Sequence, residues 1–117
     1  MPFVNFTLAS RVTEDAMVRL KTAAADMMRR HAGKDERWLL VRVAGEQPLY
    51  FRGSRVHNGG VIEVKLVGTL EAESKREIVR ELTSLLATET GAAADSLYVI
   101  FTEVKGEDWG WNNDLFA

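Results

Sequence analysis

The sequence predicts an α+β domain made of two β-α-β units, with a four-stranded sheet that carries both helices on one face. Three observations predict it. Two segments of helical period are each flanked by short runs of β-branched and apolar residues. Each helical segment closes at a glycine, Gly33 and Gly91, which stand 58 residues apart. The 117 residues suffice for one core and are too few for two.

The elements follow in order. PFVNFTL, from Pro2, reads as a strand. TEDAMVRLKTAAADMMRRHAGK reads as a helix, with Thr13 as N-cap and Glu14 and Asp15 at the positive end of the dipole. Met17, Leu20, Ala24, Met27 and His31 form its apolar stripe, and Gly33 ends it. RWLLVRV is a second strand. LYFRGSRVHNGG links the halves, and its Gly59–Gly60 pair marks a turn. VIEVKLVG is a strand with Ile62, Val64 and Leu66 on one face. EAESKREIVRELTSLLATET is a helix with Ile78, Leu82, Leu85 and Leu86 on its apolar side. SLYVIFTEV is apolar enough for a strand covered on both faces. Leu49–Phe51 and the tail WGWNNDLFA remain, each able to pair as an edge strand with another subunit. The chain is thus one domain of two pseudo-repeats, about 1–58 and 59–117. A sheet covered on one face leaves the other bare. An apolar bare face must be buried, so oligomerisation is expected.

Composition excludes several chemistries. A net charge of −2, with no long basic run, gives no support to nucleic-acid binding. The absence of cysteine removes disulfides, thiolate metal sites and a cysteine nucleophile. His31 and His57 are the only histidines, too few for a histidine-rich zinc site. No apolar run suits a signal peptide or membrane span, so a soluble cytoplasmic protein is expected.

Few residues can carry chemistry. Methionine is usually removed before a residue as small as Pro2, which then becomes a terminal secondary amine. Burial and a nearby cation both disfavour its charged form, which would make it a base near neutral pH. The ordinary alternative is a strand-edge proline that needs no N–H. Lys34 is either a helix-terminal cation or a carboxylate anchor that lowers the amine pKa of Pro2. Arg52 and Arg55 could serve an anion too, or make surface ion pairs. Tyr98 is either a core tyrosine or a functional one. Trp109, Trp111 and Phe116 are a tail packed on a neighbour, or an aromatic wall for a planar substrate. His57 reads as exposed and His31 as a partnered core-edge histidine.

The N-terminal proline, the repeated β-α-β unit and the tail GWNNDLFA together resemble the tautomerase superfamily, and within it the macrophage migration inhibitory factor (MIF) family. GK after the first helix, the G-S of the link, VG before the second helix and DSLY at the last strand align in order with that family. The resemblance spans essentially the whole chain and implies a single tautomerase domain over 1–117. It implies a homotrimer with a barrel-like core of sheets and active sites at subunit interfaces. The implied activity is a phenylpyruvate tautomerase, a cofactor-independent isomerase of 2-oxo acids, with no metal, no nucleic acid and no membrane partner. By position, Pro2 is the general base and Lys34 the carboxylate contact. Val67, Trp109 and Phe116 line the pocket, and Tyr98 comes from the adjacent subunit.

Three departures stand out. Ile100 occupies a position where human-type members have a polar asparagine. Trp109 replaces a smaller apolar residue and should narrow the pocket or stack on an aryl ring. The mammalian CxxC is absent, which leans towards a microbial member. Two rival readings are a superfamily decarboxylase or dehalogenase/hydratase, which would use Arg52, Arg55 and Asp114, and a cytokine-like binding protein with a vestigial site.

Overall fold

Alternation in the N-terminal strand organises the molecule. The computed structural model describes residues 1–116; the last residue of the tail motif, Ala117, lies outside the described residues. Strand β1, Pro2–Leu8, buries Pro2, Val4, Phe6 and Leu8 and turns Phe3, Asn5 and Thr7 to the opposite side. Helix α1, Glu14–Ala32, starts where the Thr13 hydroxyl accepts the Ala16 N–H at 3.1 Å. It ends at Gly33, whose left-handed backbone (φ 63°) lets its N–H reach the Arg29 carbonyl. Strand β2, Leu40–Ala44, then runs parallel to β1.

A hairpin follows, β3 (Leu49–Phe51) and β4 (Ser54–Val56). The second unit repeats the order of the first. Strand β5, Gly60–Val67, lies antiparallel to β1. Helix α2, Ala72–Thr90, ends at a left-handed Gly91. Strand β6, Leu97–Val104, lies parallel to β5. The four-stranded sheet therefore has the order β2-β1-β5-β6, with the two N-terminal strands of the units side by side at its centre. Val4, Phe6, Ile62, Val64 and Leu66 meet Leu20, Met28, Ile78, Leu82 and Leu86 in one core, which puts both helices on one face. His31 sits between the helices with its side chain only 8% exposed, its Nε2 2.7 Å from Glu81. It is a partnered histidine, as its place on the stripe implied.

Four expectations change. The second strand starts at Leu40, not Arg37. Residues Glu36–Trp38 form a 3-10 turn because the Asp35 carboxylate accepts the Arg37 N–H at 2.9 Å. The link between the halves holds a second short strand, β4, paired with β3. Strand β6 is not covered on both faces of the chain. It is an edge strand, and Tyr98 and Ile100 are 59% and 48% exposed on the side without helices. Nor is the bare face uniformly apolar. Across its middle, Arg42 donates to the Asn5 side-chain oxygen Oδ1 at 3.2 Å and the Asn5 side-chain amide donates to Glu63 at 3.0 Å. Lys65 lies 3.6 Å from Glu63 on the same row. The apolar groups lie towards the margins of that face, at Phe3 and Leu40 and along β6.

Gly60 fixes the approach of β5 to β1. A Cβ there would stand 2.0 Å from the Thr7 carbonyl oxygen, and the backbone has φ 152°. Gly60→Ala should destabilise the fold by about 3 kcal/mol or more, since clash and backbone strain add. Urea unfolding checks this; a variant within about 0.5 kcal/mol of the parent, as for an ordinary surface change, would show that the strands do not approach so closely.

Candidate active site

Pro2 begins the central strand, and its ring is among the fully buried side chains. A first strand residue needs no N–H, so proline costs no ladder bond there. Pro2 is in register with Leu66, and the Val67 N–H donates to the Met1 carbonyl at 3.1 Å. Main-chain pairing thus sets Val67 beside the start of the chain. The next amide, Gly68 N–H, donates to the Val104 carbonyl at 3.0 Å.

Lys34 reaches this place from α1. It leaves the helix through Gly33, and its N–H donates to the Met28 carbonyl at 3.0 Å. Met1 is only 6% exposed. Burial first, and the Lys34 charge second, hold the terminal amine below its ordinary value. No ion pair among the described residues takes up the Lys34 charge.

The tail leaves β6 at the same end, because Val104 is the register partner of Val67. A 3-10 turn, Gly106–Asp108, leads to Trp109, whose carbonyl accepts the Phe116 N–H at 2.9 Å. Between them β7 (Gly110–Trp111) pairs with β8 (Asp114–Leu115). The tail therefore folds on itself. Asn112 and Asn113 both take left-handed backbone (φ 51° and 70°), the geometry of a two-residue hairpin turn. Trp111 meets Trp38 edge-on, with ring centroids 4.9 Å apart.

One end of the sheet thus carries Pro2, Lys34, Val67, Trp109 and Phe116. Tyr98 is not there. It is in register with Val61, which pairs with Thr7, five residues from Pro2 and about 17 Å along the strand at roughly 3.3 Å per residue. Its ring meets Phe51 edge-on at 5.2 Å. Arg52 and Arg55 belong to that far end too, on the β3–β4 hairpin. The Arg52 guanidinium donates to the Asp95 carbonyl at 2.7 Å. Asp114 caps its own turn by accepting the Leu115 N–H at 2.7 Å. His57 is exposed.

Sequence reasoning left Trp38 within a strand and grouped Trp111 only with the aromatic tail. The 3-10 turn and the tail hairpin bring the two together. No group of three or more potential metal-ligating side chains occurs among the described residues, and no described helix is long and apolar enough to cross a membrane.

Residues 61–117 match the family model described as tautomerase enzyme. The chain shares its fold with MIF2 of Leishmania major, at 22% identity and a TM-score of 0.87, over 99% of this chain and 97% of that one. A MIF homologue from Prochlorococcus marinus is 23% identical with a TM-score of 0.83, over 98% of this chain and 99% of that one. A member of the cis-3-chloroacrylic acid dehalogenase family is 15% identical with a TM-score of 0.76, over 99% and 82%. No curated protein matches the chain in sequence.

The loop after Val67 is tied to β6 by Glu103. Its carboxylate accepts the Leu70 N–H at 2.6 Å and the Lys75 ammonium at 2.9 Å. Chiefly the Lys75 hydrogen bond, and next the Leu70 amide, hold the Glu103 carboxyl below the ordinary range. A carboxyl lowered by folding stabilises above its unfolded pKa and loses that contribution as pH falls through the folded value. Glu103→Gln should therefore be less stable than the parent at pH 7, with the difference shrinking in acid. Urea unfolding at pH 7 and at successively lower pH checks it, and a constant difference would show that ionisation of Glu103 is irrelevant.

Proposed function

We propose that this protein is a member of the tautomerase superfamily, a cofactor-independent phenylpyruvate tautomerase acting on 2-oxo acids, with Pro2 as general base and acid after Met1 is removed. The observation that carries the reading is the buried chain start beside an unpaired lysine. Burial and Lys34 already depress the amine at Met1. Removal of Met1 moves the amine one residue inward, to a proline that is fully buried. It also strips the Val67 N–H of its acceptor, the Met1 carbonyl, and leaves a main-chain donor facing the new terminus.

The chemistry follows. Neutral Pro2 nitrogen takes a proton from C3 of the 2-oxo acid, and the electron pair moves to the C2 oxygen. Lys34 and the Val67 N–H hold the anionic substrate and favour the enolate. The prolyl cation then gives its proton to the enolate oxygen; the reverse sequence returns the keto acid. The aromatic pair Trp38–Trp111, with Trp109 and Phe116 on the same tail, supports a substrate bearing an aryl group. Tyr98, remote within one chain, acts on the neighbouring copy of a homotrimer.

Turnover of phenylpyruvate, on protein whose intact mass shows loss of Met1, tests the reading. Pro2→Gly should lower kcat strongly with the fold retained, because a primary amine differs in basicity and placement; unchanged kcat would remove Pro2 from the mechanism. Turnover of cis-3-chloroacrylate without turnover of phenylpyruvate would point to the dehalogenase reading.

Lys34→Ala should raise KM about tenfold to a hundredfold, the loss of a charge-assisted bond of about 1.5–3 kcal/mol. Removing that cation also raises the pKa of Pro2, so the acidic limb of the pH–rate profile should move to higher pH. If KM and the limb both stay fixed, Lys34 is only a helix-terminal cation.

A further inference from the structure

Of the two histidines, His57 is exposed and His31 is enclosed between the helices, where the proposed chemistry does not use it. Its Nε2 stands 2.7 Å from Glu81 and its Nδ1 3.6 Å from Glu77, both on α2. From its own helix, Arg30 Nη1 comes within 3.3 Å of the same Nε2. Arg30 also pairs with Glu81 and donates through Nε to Asp26 at 2.6 Å, while Arg29 holds the other Asp26 oxygen. No other charged side chain among the described residues bonds to His31. The carboxylates of Asp26, Glu77 and Glu81 thus face the guanidiniums of Arg29 and Arg30, and a protonated His31 balances the cluster.

The ring serves both carboxylates of α2 in one charge state only. An imidazolium has two N–H donors and a neutral imidazole has one. Imidazoles change charge between about pH 5 and 8. In mild acid, Nε2 donates to Glu81 while Nδ1 carries a proton towards Glu77. In mild base, one ring nitrogen presents a lone pair. If that nitrogen is Nε2, Arg30 donates to it and Glu81 loses the ring; if it is Nδ1, it opposes Glu77. Burial pushes the Glu81 carboxyl up, but the hydrogen bonds from Arg30 and His31 outweigh it and hold Glu81 below the ordinary range, so it stays ionised throughout. The strut is therefore complete at low pH and half lost as pH rises.

This strut bears on the last turn of α1, and that turn sets Lys34. The Arg29 carbonyl accepts the Gly33 N–H at 3.1 Å, and the Met28 carbonyl accepts the Lys34 N–H at 3.0 Å. The only other ion pair between the helices among the described residues, Arg19–Glu89 at 2.8 Å, lies towards the opposite end of α1. We propose that His31 is a positioning residue for Lys34: protonated, it fixes the end of α1 against α2 and keeps the anion anchor in place, and its deprotonation loosens that anchor. The inference rests on the reading of Lys34 as the carboxylate contact and adds its regulation by pH.

Nitrogen-15 NMR spectra between about pH 5 and 8 test the strut. The Gly33 and Lys34 amides should shift together with the His31 ring. In Glu77→Gln/Glu81→Gln the ring still titrates, but those amide shifts should largely vanish, which separates a mechanical tie from mere nearness of charge. Should the pair prove unfolded by circular dichroism, Glu77→Gln alone serves with a smaller loss. Kinetics then read Lys34. His31→Lys carries a cation at every pH used. The KM of the parent for phenylpyruvate, divided by that of His31→Lys at the same pH, should rise from near one in mild acid to about fivefold in mild base, the loss of one ordinary hydrogen bond, with kcat changing less. His31→Gln should hold the raised KM throughout. Amides of Gly33 and Lys34 that ignore the ring, or that follow it equally in the carboxylate variant, overturn the strut. A parent KM that tracks His31→Lys at every pH overturns its hold on Lys34. Amides that behave as expected in a protein that leaves phenylpyruvate untouched would sink the proposed activity and leave the strut standing.

Discussion

The fold depends on the N-terminal strand lying in the middle of the sheet. Strand β1 pairs on one side with β2 and on the other with β5, so the chain begins inside the molecule. Each of Val4, Phe6 and Leu8 contributes about 1.5–3 kcal/mol by burial, which holds the strand in place. A terminus that is normally frayed and solvated is thereby fixed. Proline suits that position, because its missing N–H falls where the ladder starts and its locked φ lowers the cost of ordering the end. A buried start to the strand, with the Met1 amine held beside it, is the consequence.

The surroundings of that amine come from helix geometry. Gly33 turns the chain out of α1 in a left-handed conformation and delivers Lys34 to the same end of the sheet. The carbonyl end of a helix favours a cation, which suits a lysine at this place. Burial and this cation act in the same direction on the amine. The loop after Val67 is tied to β6 by Glu103, so the ends of β5 and β6 and the start of the chain share one frame.

Much of this was legible in the sequence because it is local. Thr13 and Gly33 bound the first helix as caps, and the alternation of Ile62, Val64 and Leu66 identified the buried face of β5. What was not legible depends on pairing between distant segments. The apolar look of SLYVIFTEV suggested two covered faces, yet only the sheet order reveals β6 as an edge. The charges of Asn5's neighbours, Arg42 and Glu63, look like ordinary surface residues until register sets them in one row. Trp38 was hidden because Asp35 converts the start of an apparent strand into a 3-10 turn. Tyr98 sits far from Pro2 for the same reason of register, which is why a site including it needs a second copy.

The central claim is that the fold makes the terminal amine of Pro2 a neutral base. Nitrogen-15 NMR titration of that amine, in protein shown by mass to lack Met1, tests it most directly. The account predicts a pKa below that of an exposed prolyl terminus, with part of the depression relieved in Lys34→Ala. A pKa equal to that of an unstructured Pro-initiated peptide, and indifferent to Lys34, would contradict it.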